Sequence, residues 1–315
     1  MESHPLAEVS QPPKLTLSLF SRLFNRLSIH AISRGFVRRR FRKAGLEERT
    51  VDLGDAVVHY WIGGNGPPLV LLHGFGGDAT FTWHSQVAQL AKKHTLLIPD
   101  LLWFGESHSP KDDYSLDFQA HTIVKIADVA GIERFDLAGI SYGGLVAFAL
   151  TSNHGDRVRR LVMIDSPGAV YTEDDHQAML DNFSVDDVAK IVIPEGPEGV
   201  RTLLELAWHK PPPTPRFVLR DVYRNLFSAN VDEKRGLLAW LDDQRKTDRK
   251  DDWDIPHRTL VVWGDDDPLF GLGVAQRLVG ALPAAELIVL DNTRHAPNIE
   301  RPAPFNAAVL EFLGA

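Results

Sequence analysis

The chain contains no cysteine. That absence excludes disulfides, thiolate metal sites and a cysteine nucleophile, while leaving the compartment open. Acid is also missing from one whole segment: between Lys14 and Lys43 there are nine Lys or Arg and no Asp or Glu. Arginines interrupt every apolar stretch there, so the segment neither spans a bilayer nor carries a secretory core. Residues 1–43 sum to +7, which leaves -15 for the rest of a chain whose formal charge is -8. An acidic body of this kind is a poor match for nucleic acid, and none is expected as a partner.

What is present is ordinary for a soluble protein: 315 residues, 44% apolar and 24% charged, enough for one large domain or two small ones. Residues 1–13, with three prolines, read as a mobile tail. From Leu15 to Lys43, Phe20, Leu23, Phe24, Leu27 and Ala31 recur at helical spacing, with Arg22 and Arg26 on other faces. This predicts a basic amphipathic helix. Three settings compete for it: packing on the body or its lid, contact with an anionic membrane surface, and an Arg-rich targeting sequence. The expected location is the cytoplasm, with membrane association through this helix as the alternative; no oligomeric state follows from these patterns.

The body is organised around RFDLAGISYGGLVAF, Arg134 to Phe148. A short apolar run, a glycine-punctuated turn and a helical stretch follow one another, and Gly139-Ile140-Ser141-Tyr142-Gly143 matches the nucleophile elbow. There a serine on a strained turn projects its oxygen above a sheet, and side chains at the flanking glycines would collide as strand and helix converge. Upstream, the buried-type strand Leu69 to Leu72 ends in His73-Gly74-Phe75-Gly76-Gly77-Asp78, a loop whose amides can face a reacting oxygen. The expected oxyanion donors are the amides of Phe75 and Tyr142, with Gly74 beside the substrate and His73 shaping the loop.

Val51 to Ile62 reads as a hairpin around Gly54-Asp55, Trp83 to Lys93 as a helix, Thr95 to Pro99 as a strand and Leu116 to Ala130 as a helix. Strands alternating with helices predict a mostly parallel sheet covered on both faces, with ligands beyond the strands' carboxyl ends. Leu260 to Trp263 and Leu287 to Leu290 are two further strands. Their loops carry Asp265-Asp266-Asp267 and His295, on the same sheet edge as Ser141. A serine needs a neighbouring base, and that imidazole needs a carboxylate. Asp265, Asp266 and Asp165, which ends the strand Leu161 to Ile164, remain alternatives to Asp267 as that acid.

The segments LLHGFGG, PDLLWFGES, LAGISYGG, VVWGDDDPLF and RHAPNIERPAPF together resemble the α/β-hydrolase fold superfamily. They run from about residue 50 to the end. The chain looks most like the capped serine hydrolases grouped with monoacylglycerol lipases and carboxylesterases. The resemblance implies Ser141 as nucleophile, Asp267 as acid and His295 as base, with no metal and no organic cofactor. It also implies a helical cap over the serine at residues 166–254, inserted into a core of 46–165 and 255–315 that follows the 1–45 tail and helix. Within the cap, Leu204, Trp208, Phe217, Leu226 and Phe227 either line an acyl pocket or pack the cap; Trp208 is the expected substrate contact.

The activity expected is hydrolysis of a small-molecule carboxylic ester of short to medium acyl length, monoacylglycerols included. Haloalkane dehalogenases and epoxide hydrolases use aspartate at the elbow, where this chain has Ser141. Carbon-carbon bond hydrolases of ring-cleavage products do use serine, but many carry tryptophan after the catalytic histidine, where Ala296 and Pro297 stand here. A non-catalytic ligand-binding protein on the same fold is the remaining rival.

Overall fold

The computed structural model of the protein describes residues 29–246 and 253–314. Its centre is an eight-stranded sheet of β1 (Leu46–Asp52), β2 (Val57–Gly64), β3 (Pro68–Leu72), β4 (Thr95–Pro99), β5 (Phe135–Ile140), β6 (Val158–Ile164), β7 (Thr259–Gly264) and β8 (Ala285–Leu290). The strand order is β1-β2-β4-β3-β5-β6-β7-β8. The hairpin β1–β2 and the β2–β4 pair are antiparallel, and all pairs from β4 through β8 are parallel. The helices before the cap are α1 (Ile29–Lys43), α2 (Ala79–Trp83), α3 (Val87–Leu90), α4 (Leu116–Val129) and α5 (Tyr142–Asn153). Among the described residues between β6 and β7 only helices occur: α6 (Glu173–Phe183), α7 (Ala189–Val192), α8 (Pro197–Ala207), α9 (Arg216–Val222) and α10 (Val231–Lys246). The chain closes with α11 (Leu272–Ala281), α12 (Pro297–Glu300) and α13 (Pro302–Phe312).

Alternation along the central strands explains the two cores. Val70, Leu72, Leu137, Leu161, Met163, Val261 and Trp263 face one apolar layer with residues of α4, α5 and α11. Leu69, Leu71, Ala138, Ile140, Val162, Ile164 and Val262 face the other, with Trp83, Phe305 and Phe312. Successive side chains point to opposite faces, so a run apolar at every position is buried on both. Each large side chain so buried contributes roughly 1.5–3 kcal/mol.

Local chemistry sets several boundaries. Ser115 accepts from the Phe118 amide and starts α4, and Thr172 with Asp175 forms a capping box at α6, each satisfying amides that the helix leaves unpaired. Of the expected helix Trp83 to Lys93 only Val87–Leu90 (α3) is helical, with Trp83 closing the preceding α2. Gln86, fully buried between them, turns inward to donate to the Asn298 carbonyl at 2.6 Å. In the cap, α9 is separated from α10 by a π turn at Tyr223–Phe227 and by Asn230. That residue takes φ 54° and donates to the Trp103 carbonyl at 3.0 Å.

The expected N-terminal helix is described over Ile29–Lys43; Phe20, Leu23, Phe24, Leu27 and the 1–13 tail lie outside the described residues. The described part packs on the body and on the lid, touching α2, α3, β1 and α9. Phe41 is fully buried, edge-on to Trp61 at 5.1 Å. Arg34 and Arg38 bind Glu106 at 2.8 and 2.6 Å, and Arg38 and Arg42 bind Glu48 at 2.9 and 2.7 Å. Among the described residues no helix is long and apolar enough to cross a membrane.

Candidate active site

Ser141 stands between β5 and α5 with φ 53° and ψ -121°, a conformation that costs a non-glycine residue of order 1–3 kcal/mol. The turn is tight enough to dictate its glycines. A Cβ at Gly139 would lie 2.2 Å from the Gly143 carbonyl, and one at Gly143 2.3 Å from the His73 carbonyl. Strand and helix can therefore converge only without side chains there, and the serine hydroxyl is left facing outward.

The Ser141 hydroxyl lies 2.8 Å from His295 Nε2, and His295 Nδ1 lies 2.8 Å from Asp267 Oδ2. Asp267 Oδ1 accepts the amides of Leu269 at 2.8 Å and Phe270 at 3.2 Å, which orients the carboxylate toward the imidazole. The three aspartates in a row diverge. Asp265 accepts the Thr293 amide at 3.0 Å, whereas Asp266 accepts from His209 Nδ1 at 3.0 Å and Arg294 Nε at 3.1 Å. Those two bonds hold the Asp266 carboxyl below the usual carboxylate range.

Asp165, the alternative from β6, is fully buried and bonds the Gly264 amide at 2.9 Å rather than the imidazole. Asp165, Asp267 and His295 together present three potential metal-ligating atoms within 4.8 Å of one another. The Nδ1–Asp267 contact occupies that space as an acid–imidazole pair.

Phe75 and Tyr142 are neighbours: their rings meet edge to face at 5.7 Å, and Phe104 meets Phe75 edge to face at 5.1 Å. Tyr142 is the first residue of α5, where amides lack a partner one turn earlier. His73 is fully buried. Its Nδ1 donates to the Gly74 carbonyl at 2.8 Å and its Nε2 accepts the Leu101 amide at 2.9 Å. Burial lowers its pKa, so the ring is neutral and holds the loop.

A cavity of about 130 Å³ opens above Ser141 and His295, bounded by Gly74 and Phe75 on one side and the cap on the other. Trp208, Leu204, Leu226 and Phe227 line it. Phe217 does not; it is 62% exposed, because the short α9 turns its inner face through Leu219 instead.

Sequence reasoning missed the clamp that joins the cap to the histidine loop. Beyond Asp266, Arg294 Nη1 donates to the Glu205 carbonyl at 2.6 Å, the His209 amide to Glu300 at 2.8 Å and the His295 amide to the Leu206 carbonyl at 3.3 Å. These partners are 89 to 91 positions apart where the bonds are between side chain and backbone, and no local pattern marks them.

Residues 67–302 match the family model of the alpha/beta hydrolase fold. The chain belongs to the α/β-hydrolase fold family. Its Ser141–His295–Asp267 arrangement makes this α/β hydrolase a serine hydrolase.

The hydrolase is 30% identical over 267 residues to the 2-hydroxymuconate semialdehyde hydrolase of Pseudomonas sp. (strain CF600), spanning 79% of this chain and 88% of that protein. To Lipase 1 of Psychrobacter immobilis it is 28% identical over 272 residues, 82% of this chain and 81% of the relative. Among solved structures, a membrane phospholipase A superposes with a TM-score of 0.78 at 24% identity over 95% of this chain and 96% of that one. A meta-cleavage product hydrolase from Pseudomonas fluorescens gives 0.68 at 23% over 84% and 97%. These superpositions establish the shared fold.

Proposed function

We propose that this serine hydrolase cleaves uncharged carboxylic esters with short acyl groups. The observation that carries the reading is the cavity lining. Among the described residues it holds no Lys or Arg, and apart from Thr82, Ser141, His295 and Asn298 its side chains are apolar. A carboxylate buried there without a cation would pay a heavy desolvation cost. An engineered apolar cavity of about 150 Å³ holds benzene, so a space of about 130 Å³ suits a short acyl chain.

In this mechanism Ser141 Oγ attacks the ester carbonyl while its proton passes to His295 Nε2. The amides of Phe75 and Tyr142 hold the developing oxyanion, and Gly74 and Trp208 contact the substrate. His295 returns the proton to the departing alcohol, leaving an acyl group on Ser141. Water, deprotonated by the same imidazole, then releases the acid. Asp267 fixes the imidazole tautomer and balances its positive charge. Each oxyanion donor of this kind is worth on the order of 3 kcal/mol.

A second reading is carbon-carbon bond hydrolysis, favoured by relatives named as 2-hydroxymuconate semialdehyde hydrolase and 2-hydroxy-6-oxo-2,4-heptadienoate hydrolase. A panel of aryl esters graded from two to twelve carbons, run beside a ring-cleavage dienoate, separates the two. Ester turnover peaking at short chains supports the first reading. Dienoate turnover well above every ester replaces it with the second.

Peripheral membrane contact through the basic segment is part of the same proposal. Phe36, Arg39, Arg40 and Lys43 are exposed on α1 while Arg34, Arg38 and Arg42 face acids of the body. Flotation with anionic vesicles, comparing the full chain with one starting at Leu46, tests it; equal flotation removes it.

A further inference from the structure

Behind the triad a second carboxyl group approaches the same imidazole. Asp165 ends β6, is fully buried and holds φ 40°, in the left-handed region that non-glycine residues avoid. One of its oxygens accepts the Gly264 amide at 2.9 Å, tying the end of β6 to the strand end from which the acid loop departs. Its other oxygen has no partner. An oxygen of Asp165, an oxygen of Asp267 and a ring nitrogen of His295 lie within 4.8 Å of one another.

Two carboxylates cannot both ionise in so small a buried space. The surroundings decide which does. Asp267 receives the Leu269 and Phe270 amides and His295 Nδ1, whereas Asp165 receives one amide. The negative charge therefore sits on Asp267 and the shared proton on Asp165. Burial, then the Asp267 charge, push the Asp165 carboxyl well above the usual range.

We propose that Asp165 is a reserve acid of the triad: neutral while Asp267 is ionised, and the ionised partner of His295 when Asp267 is lost. Removing the Asp267 charge removes the repulsion that keeps Asp165 protonated. The imidazolium formed during reaction then favours an anion beside it. A turn of the Asp165 side chain, or one bridging water, spans the remaining gap. The proposal rests on the serine-hydrolase reading and is independent of which bond is cleaved.

The test is a mutant cycle on whichever substrate the panel above identifies, with initial rates for wild type, Asp165→Asn, Asp267→Asn and the double variant, and thermal melting of each. Asparagine has the shape of a neutral acid, so Asp165→Asn alone stays within about 3-fold of wild type. Loss of an unreplaced triad acid costs roughly 10⁴-fold in other serine hydrolases. Here Asp267→Asn loses about 10²-fold, and adding Asp165→Asn costs at least ~10-fold more. An equal cost of Asp165→Asn in both backgrounds overturns the proposal. If Asp165→Asn does not fold, Asp267→Ala decides, because it gives Asp165 room and imposes no wrong tautomer. A loss of ~10³-fold or less from wild type supports the reserve role, and a larger loss, approaching the roughly 10⁴-fold of an unreplaced triad acid, ends the role. Activity surviving in Ser141→Ala would instead remove the serine-hydrolase reading itself.

Discussion

The backbone amide of His295 donates to the Leu206 carbonyl at 3.3 Å, so the base of the triad is attached to the last turn of a cap helix. Asp266, next to the triad acid, fastens the same junction through His209 and Arg294. The cap thus does more than cover the serine, since its end holds the loop that carries the imidazole. Asp266→Asn keeps the side-chain size and weakens both bonds. Partly exposed pairs of this kind contribute up to ~1 kcal/mol, so kcat/KM falls roughly 3- to 10-fold with little change in Tm. Steady-state kinetics on two ester lengths checks this, and an unchanged kcat/KM on both would separate the cap from the triad.

Ser141→Ala removes the nucleophile and leaves the elbow backbone in place. Turnover falls by roughly 10⁴-fold or more, labelling by a fluorophosphonate probe disappears, and the melting temperature stays within a few degrees. Labelling that persists in this variant would move the nucleophile elsewhere.

Gly143→Ala places a Cβ 2.3 Å from the His73 carbonyl and 2.7 Å from that of Leu72. Both contacts are backbone atoms of the β3 end, which cannot yield without opening the strand–helix junction. The expected result is a loss of several °C in Tm, equivalent to about 1–3 kcal/mol, together with lost activity. Gly76→Ala, whose Cβ would meet nothing within 4 Å, is the matched control and melts like wild type.

His59 supplies a pH-dependent contribution to stability. It is buried between Asp100 Oδ2 at 2.8 Å and Glu48 Oε1 at 3.1 Å. Burial pulls its pKa down, but the bond to Asp100, its charge and the nearby Glu48 and Glu106 more than offset this, and the net direction is upward. A raised folded-state pKa means that the stabilisation is fully present below about pH 6.5 and is lost as pH rises through the raised value. The Tm difference between wild type and His59→Gln is therefore larger at pH 6 than at pH 9. A constant difference would mean that the imidazole keeps one charge state throughout.

Trp208→Ala enlarges the cavity on its cap side. The acyl-length optimum of the ester panel shifts to longer chains, by about two carbons or more, while short esters lose binding energy of about 1–3 kcal/mol. An optimum that stays in place would put the length limit on another wall.

Legibility followed the range of the interactions. The elbow could be read because Gly139, Ser141 and Gly143 stand together in one pentapeptide, although the atoms that demand a glycine at Gly143 are the carbonyls of Leu72 and His73 on another strand end. Continuous apolar strand runs likewise marked both buried layers. The break at Gln86 could not be read, because its cause is a carbonyl 212 positions away. Nor could Phe217 be told from its apolar neighbours, since helical spacing does not say which face a short helix turns inward.

Sequence alone determined that a serine on a tight glycine turn, an aspartate cluster and a histidine would follow three strand ends in that order. Backbone sterics and continuous apolar runs impose that much. Only the tertiary structure decided that Asp267 meets the imidazole, that Asp165 waits beside it, and that residues 205–209 clamp the histidine loop. Adjacent aspartates have the same chemistry, and only the partners that the fold brings to each one distinguish them.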